Sequence, residues 1–455
     1  MKDKDLLLEI GTEEIPARFL PPTVKQMEDK TAGLLSERRI SSARVCAYAT
    51  PCRLVLHVLN ISAVSETRVI EKSGPPWEAA FDPSGKPTQA LAGFLKSAGA
   101  DFKEVVQIQK KERVFAGVRI TEKGRQTGSI LAQALPEMIA SLHFPKNMRW
   151  RTGDASAFPR PVRRILCLLH GKPLVFQLFG IQSGASTGGN KFFFPKSFRP
   201  KNAADYFSQL EKKLVIVSAE KRRAKILREA QLILARKNLK AELPDALVDE
   251  VVYLTEYPTA LVGNFNPDFL SIPDAVLKSA MMHHQRYFPV LSKDRKLAPH
   301  FLVVRNGPHD SKKIVAKGNE RVLTARVSDA KYFFDNDAQK SLAGRFEGLK
   351  GVVYLEGLGS LHDRARRIRD FTVILPPRIG LDIDLQRYSD TSYLCKADLL
   401  TEVVKEFPEL QGLMGRIYAR REGLPEEICS AIEEHYLPRG PGDPLPSSPL
   451  GALMA

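Results

Sequence analysis

The feature that most constrains this fold is a change in the spacing of its apolar residues near positions 340–355. Before it, alternating runs typical of strands (Leu54, Leu56 and Val58 share a face) are mixed with runs of helical spacing. Beyond residue 350 nearly every apolar run has helical spacing. The pattern predicts an α+β, multidomain chain: a mixed region at 1–345 and a helical region at 346–455. A further break near 200–215 would divide the first region into two subdomains.

Within this frame the sequence predicts individual elements. Strands are predicted at 4–10, 53–61, 113–121 and 174–181, and helices at 22–38, 88–99, 131–142, 218–240 and 247–254. A Gly- and Pro-rich stretch at 73–88 predicts a loop.

Several classes of protein are excluded at once. No run reaches the ~18–20 consecutive apolar residues of a membrane span, and the N-terminus does not have the pattern of a signal peptide. The cysteines are odd in number, scattered and without a C-x-x-C pair, which argues against a disulfide framework or a zinc ribbon. We expect buried free thiols and a cytoplasmic protein. The cysteines are Cys46, Cys52, Cys167, Cys395 and Cys429.

The charge balance is the first indication of a partner. Lys and Arg number 68 against 52 Asp and Glu, a net charge of +16, which fits a protein that binds a polyanion. Part of this charge lies on the helix predicted at 218–240. A solvated helix face is the ordinary interpretation of that run, and a stripe facing RNA is the alternative. Its cations are Lys221, Arg222, Arg223, Lys225 and Arg228.

Four strings stand out, and the last three combine Arg or Lys with aromatic residues: LLLEIGTEEIP at 6–16, PKNMRW at 145–150 with FPRPVRR at 158–164, HHQRYFPV at 283–290, and GNERVLTARVSDAKYFF at 318–334. The first contributes acids, Glu13 and Glu14 among them, whose role the sequence leaves undecided. Guanidinium groups bind phosphate and aromatic rings stack on unpaired bases, so these strings indicate RNA contact. An ordinary core with surface arginines is the alternative. The chain has no P-loop, dinucleotide fingerprint, zinc-protease or kinase motif, and we assign no catalytic residue.

These strings resemble the beta subunit of the bacterial heterotetrameric glycyl-tRNA synthetase, and the resemblance extends through KADLLTE at 396–402, EFPELQGLMG at 406–415 and AIEEHYLPR at 431–439. It implies a subunit of glycine–tRNA ligase in an alpha2beta2 complex. In that family the alpha subunit holds ATP, Mg and glycine, while the beta subunit recognises tRNA(Gly) and is not itself catalytic. No cofactor is then expected on this chain.

The resemblance also suggests individual RNA contacts. The first set is Lys146, Arg149, Arg160, Arg163 and Arg164. The second set is His284, Arg286 and Arg326, for which structural ion pairs or interface groups are an equal alternative.

Two departures from the family stand out. Where the family has a Thr-Gly-His-Arg-Phe type string, this chain has STGGNKF at 186–192, without the histidine. The family also continues beyond this length to a C-terminal anticodon-binding domain. We therefore expect a truncated chain that lacks that domain and has an incomplete helical domain.

The family's helical region is similar to HD-type metal phosphohydrolases. His362 and Asp363 are adjacent, and Asp398 and His435 follow, so a divalent metal site that activates water is a second hypothesis. A third is a scaffold that binds the alpha subunit without affinity for RNA.

Overall fold

A computed structural model describes residues 4–82, 85–110, 113–149, 157–310, 313–381 and 384–455, without the side chains of residues 385, 387 and 388. Its contacts divide the chain into two compact units. The first consists of Met1–Arg223 with Val252–Tyr257, and the second of Ala224–Val251 with Pro258–Ala455. The mixed α+β class is confirmed. The sequence predicts a boundary between residues 345 and 346, where the secondary structure becomes helical. The two units are defined by their contacts and do not test this boundary, which stays a prediction.

The first unit is built on a five-stranded antiparallel sheet. Its central strand, Leu6–Thr12, is buried at all seven positions. Because side chains alternate across a strand, Leu6, Leu8 and Ile10 enter one core and Leu7 enters another. The sheet therefore needs cover on both faces. In spatial order the strands are Arg44–Thr50, Arg53–Leu59, Leu6–Thr12, Val162–Leu169 and Lys172–Pro173.

Helices supply this cover. Leu20–Glu37 and Thr127–Ala140 pack on the first face, and Ala203–Lys212 packs on the second through Tyr206 and Leu210. The helix predicted at 22–38 is thereby confirmed, because its apolar positions Leu20, Met27 and Leu35 follow the helical repeat. Two further helices, Ala219–Ala235 and Asp245–Leu254, continue from one unit into the other.

A smaller sheet in the first unit orders its strands Arg68–Pro76, Arg113–Glu122 and Val105–Lys110 and packs against helix Gln89–Ala98. The loop predicted at 73–88 is wrong in part, since residues 73–76 complete an edge strand and Trp77–Ala80 forms a helical turn. An edge strand tolerates proline and glycine because one side of it needs no ladder hydrogen bonds.

The strand predicted at 174–181 is wrong. Two-residue strands, Gln177–Leu178 and Ile181–Gln182, pair there across a tight turn. Phe179 and Gly180 at its centre both have positive φ, 51° and 69°, the backbone of a hairpin turn that an extended strand cannot contain. A second small hairpin pairs Thr187–Gly188 with Ser197–Phe198.

The second unit contains a four-stranded antiparallel sheet in the order Lys240–Ala241, Phe288–Leu291, Leu297–Asn306 and Pro258–Asn264. Its core combines sheet residues with helical residues from beyond position 346, such as Val403, Met414 and Ile432. The main helices are Asp274–Ser279, Ile314–Asp337, Leu342–Arg345, Leu361–Ile379, Leu385–Leu394, Glu402–Glu406, Leu413–Arg421, Glu426–Glu434 and Pro449–Met454. A short hairpin pairs Val353–Leu355 with Gly359–Ser360. Among the described residues, no helix combines the length and the apolarity needed to cross a membrane.

The solvated-face interpretation fails for Arg222, whose side chain is fully buried in the first unit. Its guanidinium donates to the carbonyl oxygens of Val252 (2.9 Å), Ile216 (2.7 Å), Val217 (2.8 Å) and Ala49 (2.8 Å). The planar fork of donors suits this role, which a lysine ammonium could not fill. Arg222 thus ties strand Arg44–Thr50 to the chain that follows helix Ala203–Lys212.

Replacing this fork should destabilise the first unit strongly. We expect Arg222→Met to lower the free energy of unfolding by about 3 kcal/mol or more, because buried carbonyl groups lose their donors. The matched control is Lys221→Met on the neighbouring, exposed position, with an expected change below ~1 kcal/mol. Urea unfolding followed by circular dichroism measures both. Equal unfolding midpoints for the two variants would contradict the role of Arg222.

Candidate RNA-binding surface

A buried carboxylate, Glu9, organises the second face of the five-stranded sheet. Its side chain accepts hydrogen bonds from Tyr206 Oη at 2.6 Å and from Thr187 Oγ1 at 2.7 Å. Arg164 Nε lies 3.0 Å and Arg53 Nη1 3.4 Å from Glu9 Oε1. Strand alternation places Glu9 on the same face as Leu7, where helix Ala203–Lys212 excludes water.

Arg53 extends this cluster to a second acid and to a loop. Its Nε donates to Glu256 Oε1 at 2.8 Å, and its Nη2 donates to the carbonyl oxygen of Gly189 at 3.0 Å. Two carboxylates and two guanidinium groups therefore balance one another. The Glu9 network, as we name it, consists of Glu9, Arg53, Arg164, Thr187, Tyr206 and Glu256.

The electrostatics favour the charged forms in this buried place. Burial alone raises the pKa of Glu9, but Arg53 and Arg164, with hydrogen bonds from Tyr206 and Thr187, outweigh it and leave the pKa below its ordinary value. Burial lowers the pKa of Arg53, and Glu256 and Glu9 outweigh that effect, so this pKa is raised. Both groups are ionised at neutral pH.

Gly11 makes room for the network. It pairs with Arg53 on one neighbouring strand and with Arg164 on the other. A Cβ atom at position 11 would lie 2.7 Å from Arg164 Cγ and 2.9 Å from Arg164 Nε. The absence of a side chain at Gly11 lets Arg164 cross the strand and reach Glu9.

Each glutamate of LLLEIGTEEIP pairs with a cation. The pairs are Glu9 with Arg164 (3.0 Å), Glu13 with Arg163 (2.8 Å) and Glu14 with Lys191 (3.1 Å). The three cations remain accessible to solvent at the end of the sheet where strand Leu6–Thr12 ends and strand Val162–Leu169 begins. The sequence did not identify Lys191 as a candidate RNA contact. The only indication was that Lys191 lies in the STGGNKF string, where this chain departs from the family pattern.

The remaining predicted contacts of the first set lie near the same end. Lys146 and Arg149 are exposed on either side of Met148, whose backbone pairs with Phe158. Arg160 follows two residues later and is half-buried, with its Nη1 donating to its neighbour's carbonyl oxygen at 2.8 Å. Trp150 lies outside the described residues. We call this set the basic end of the sheet; it comprises Lys146, Arg149, Arg160, Arg163, Arg164 and Lys191.

The second predicted set lies in the second unit and is engaged in local contacts. Arg286 Nε pairs with Glu250 Oε1 at 2.8 Å, and Arg326 Nη1 lies 3.3 Å from Glu406 Oε1. The ring of His284 packs edge-on against Phe407 at 5.0 Å between centroids. These contacts favour the ion-pair interpretation, and RNA contact by this set stays a prediction.

The four metal candidates have structural partners instead. Asp363 caps helix Leu361–Ile379 by accepting from the backbone N–H of Ser360 at 2.9 Å, and His362 packs on Phe346. Such a cap satisfies a free N–H at the helix start, which explains the adjacent His-Asp pair without a metal.

The other two candidates are buried and separately bonded. Asp398 accepts from the N–H groups of Gly412 (2.6 Å) and Gly415 (3.2 Å), and burial raises its pKa to about 6. Burial lowers the pKa of His435 to about 3, so its ring is neutral at pH 7. Nowhere in the described ranges do three or more His, Cys, Asp or Glu side chains form a group that could hold a metal ion. Asp398 Oδ1 and His435 Nε2 are buried without a hydrogen-bond partner among the described residues, and the metal site stays a hypothesis.

All five cysteines are free thiols, and four are buried, as the sequence predicts.

The Glu9 network predicts a pH-dependent stability. At pH 7 we expect Glu9→Gln to cost about 3–5 kcal/mol, because one of the two carboxylates that balance the buried Arg53 and the partly buried Arg164 is lost. The folded pKa of Glu9 is depressed, so its contribution is complete above the ordinary value of 4.5 and is lost as the pH falls through the folded value. The difference between the variant and the unmodified chain should therefore shrink in acid.

The control is Glu71→Gln, which breaks the exposed Arg119–Glu71 pair in the same unit and should cost at most ~1 kcal/mol. Thermal melting at a series of pH values measures both variants. A Glu9→Gln variant as stable as the control at pH 7 would refute the network's importance.

The chain is similar to known proteins over nearly its whole length. The family model described as glycyl-tRNA synthetase beta subunit matches residues 6–455. A glycine–tRNA ligase beta subunit of Desulforamulus reducens is 41% identical over 455 residues, covering 99% of this chain and 65% of the relative. Those of Moorella thermoacetica (39%) and Bacillus subtilis (38%) match over 99% and 100% of this chain and 65% and 67% of their own length.

The chain thus spans about two thirds of the length of these relatives. With residues 6–455 matched throughout, the chain belongs to the glycyl-tRNA synthetase beta subunit family.

Proposed function

We propose that this chain is the tRNA-binding, non-catalytic beta subunit of a cytoplasmic glycine–tRNA ligase. It acts with an alpha subunit, in an alpha2beta2 complex, in the ATP-dependent attachment of glycine to tRNA(Gly). ATP and Mg belong to the alpha subunit in this proposal. The relatives' names support the assignment.

One observation carries the RNA-binding part. Strings more than a hundred residues apart, LLLEIGTEEIP and PKNMRW with FPRPVRR, meet at one end of a sheet and present cations there. Lys and Arg that neutralise phosphates release counterions, and guanidinium groups bind phosphate oxygens bidentately. Acids hold three of the cations of the basic end, Arg163, Arg164 and Lys191, in place, so part of the surface is organised before RNA binds.

Binding at such a surface would contribute by positioning. A tRNA held in one orientation presents its reactive end to the partner's active site, which reduces the entropic part of the barrier. The phosphohydrolase hypothesis has less support, because no group of three or more His, Cys, Asp or Glu side chains among the described residues could hold a metal ion. A scaffold without RNA affinity remains a defined outcome of the experiment below.

The test is tRNA(Gly) binding at a series of salt concentrations. Arg149→Ala with Arg160→Ala removes two cations that have no acidic partner among the described side chains. We expect affinity to fall about tenfold and the slope of log K against log salt to become shallower by about 2, one for each lost phosphate contact. Fluorescence anisotropy with labelled tRNA measures both quantities.

Arg119→Ala is the matched control, because it removes an exposed arginine of the smaller sheet and should leave affinity and slope nearly unchanged. If the double variant behaved like this control, the basic end would not be the RNA surface. If the unmodified chain bound the alpha subunit but no tRNA, the scaffold hypothesis would replace the proposal.

A further inference from the structure

A small hairpin beside the basic end has an unusual composition. Residues 187–201 contain four phenylalanines and four cations and no acid. The strands Thr187–Gly188 and Ser197–Phe198 pair and close the hairpin, and its tip carries Phe192, Phe193 and Phe194. These three consecutive rings are 74%, 42% and 38% exposed. We call residues 187–198 the aromatic hairpin.

The hairpin is anchored from below by the Glu9 network. Thr187 Oγ1 contacts Glu9, and the carbonyl oxygen of Gly189 accepts from Arg53. A Cβ atom at Gly189 would lie 2.6 Å from Lys213 Cβ, so the hairpin backbone sits close against the unit. These contacts fix its base.

Asn190 then fixes the tip. Its side chain is buried, and its Oδ1 accepts from the N–H of Phe192 at 3.1 Å. The backbone N–H of Phe194 donates to the carbonyl oxygen of Asn190 at 2.8 Å, and the backbone N–H of Asn190 donates to the carbonyl oxygen of Lys213 at 3.0 Å. The hydrogen bonds of this turn therefore keep the three rings exposed to solvent instead of burying them in a core.

The charge around the rings restricts what can cover them. Lys191 Nζ lies 5.3 Å from the centroid of the Phe192 ring, and Lys196, Arg199 and Lys201 are exposed nearby in sequence. A matching ligand must offer flat apolar faces and negative charge together. Unpaired nucleotides do so, because each has a base that stacks on aromatic rings and a phosphate that binds a cation.

We propose that the aromatic hairpin is a stacking site for unpaired nucleotides of the bound RNA, with Phe192, Phe193 and Phe194 receiving bases and Lys191 and Lys196 receiving phosphates. The proposal rests on the function proposed above and extends it to a named set of residues. The unpaired nucleotides can come from the 3′ end of a tRNA or from one of its loops. Double-stranded segments, whose bases are already stacked, gain nothing at this site.

The test uses the full chain with Phe192→Ser and Phe194→Ser combined. We expect tRNA(Gly) affinity to fall about 10- to 100-fold, the range for losing one to two stacked bases, with the salt slope unchanged because no cation is lost. The conservative variant Phe192→Tyr keeps an aromatic ring and should bind like the unmodified chain. Phe102→Ser, at an exposed phenylalanine of the same unit, is the matched control and should have no effect.

Three RNAs distinguish the source of the nucleotides: intact tRNA(Gly), the same tRNA trimmed of its unpaired 3′ nucleotides, and a blunt RNA duplex. If the effect of the serine variant disappears with the trimmed tRNA, the 3′ end occupies the hairpin; if it persists, a loop does. An equal loss of affinity for the duplex, or none for any RNA, overturns the stacking site. Weakened binding of the alpha subunit with unchanged RNA affinity would make the hairpin a protein contact instead. If the unmodified chain binds no tRNA, the proposed function fails first and the stacking site with it.

Discussion

The burial of Glu9 is the interaction on which the rest of the first unit depends. A carboxylate without water must be matched by charge and by hydrogen bonds, or it would be neutralised or exposed. Here the match comes from residues far apart in the chain: Arg53 is 44 positions away, Arg164 is 155 and Tyr206 is 197. Satisfying one acid therefore brings three strands, a helix and a hairpin to the same place. The network constrains the register of the sheet and the position of its basic end together.

This arrangement links stability to recognition. Arg164 Nε donates to the buried carboxylate of Glu9, yet the Arg164 side chain is 36% exposed, so one residue contacts both the core and the solvent. Lys191 and Arg163 are held in the same way by Glu14 and Glu13, although in more exposed pairs of lower energy. Fixed cations lose less conformational entropy on binding than free ones. The acids of LLLEIGTEEIP thus orient positive charge.

Local patterns predicted much of the fold. The strand at 53–59 follows the apolar spacing because Leu54, Leu56 and Val58 alternate into one core. The helix at 20–37 follows it because Leu20, Met27 and Leu35 repeat into the same core. Long-range pairing escaped prediction. Arg222 lies in a run of cations typical of a solvated helix face, but its guanidinium donates hydrogen bonds to four backbone carbonyl oxygens. These carbonyl groups come together only when distant segments of the chain pack. The positive φ values of Phe179 and Gly180, which the sequence does not reveal, likewise form a turn where the apolar pattern predicted a single strand at 174–181.

In the candidate site, too, local sequence strings were predictive and contacts between distant residues were not. The strings that resemble the synthetase family contained the acids and five of the six cations of the basic end, but they predicted neither the pairing between them nor the aromatic hairpin. The adjacent His362 and Asp363 suggested a metal site, yet a His-Asp pair and a helix cap cannot be told apart from sequence spacing alone. Only the position of Asp363 at the first turn of its helix decides between them.

Lysine footprinting on the bound complex tests the central claim most directly. We expect tRNA(Gly) to slow the acetylation of Lys146 and Lys191, measured by mass spectrometry, and to leave Lys103, in the turn before strand Val105–Lys110, unchanged. We further expect Glu9→Gln to weaken this protection, because the network no longer holds the basic end in place. Equal rates for Lys146 and Lys191 with and without tRNA, under conditions where tRNA is bound, would contradict the claim.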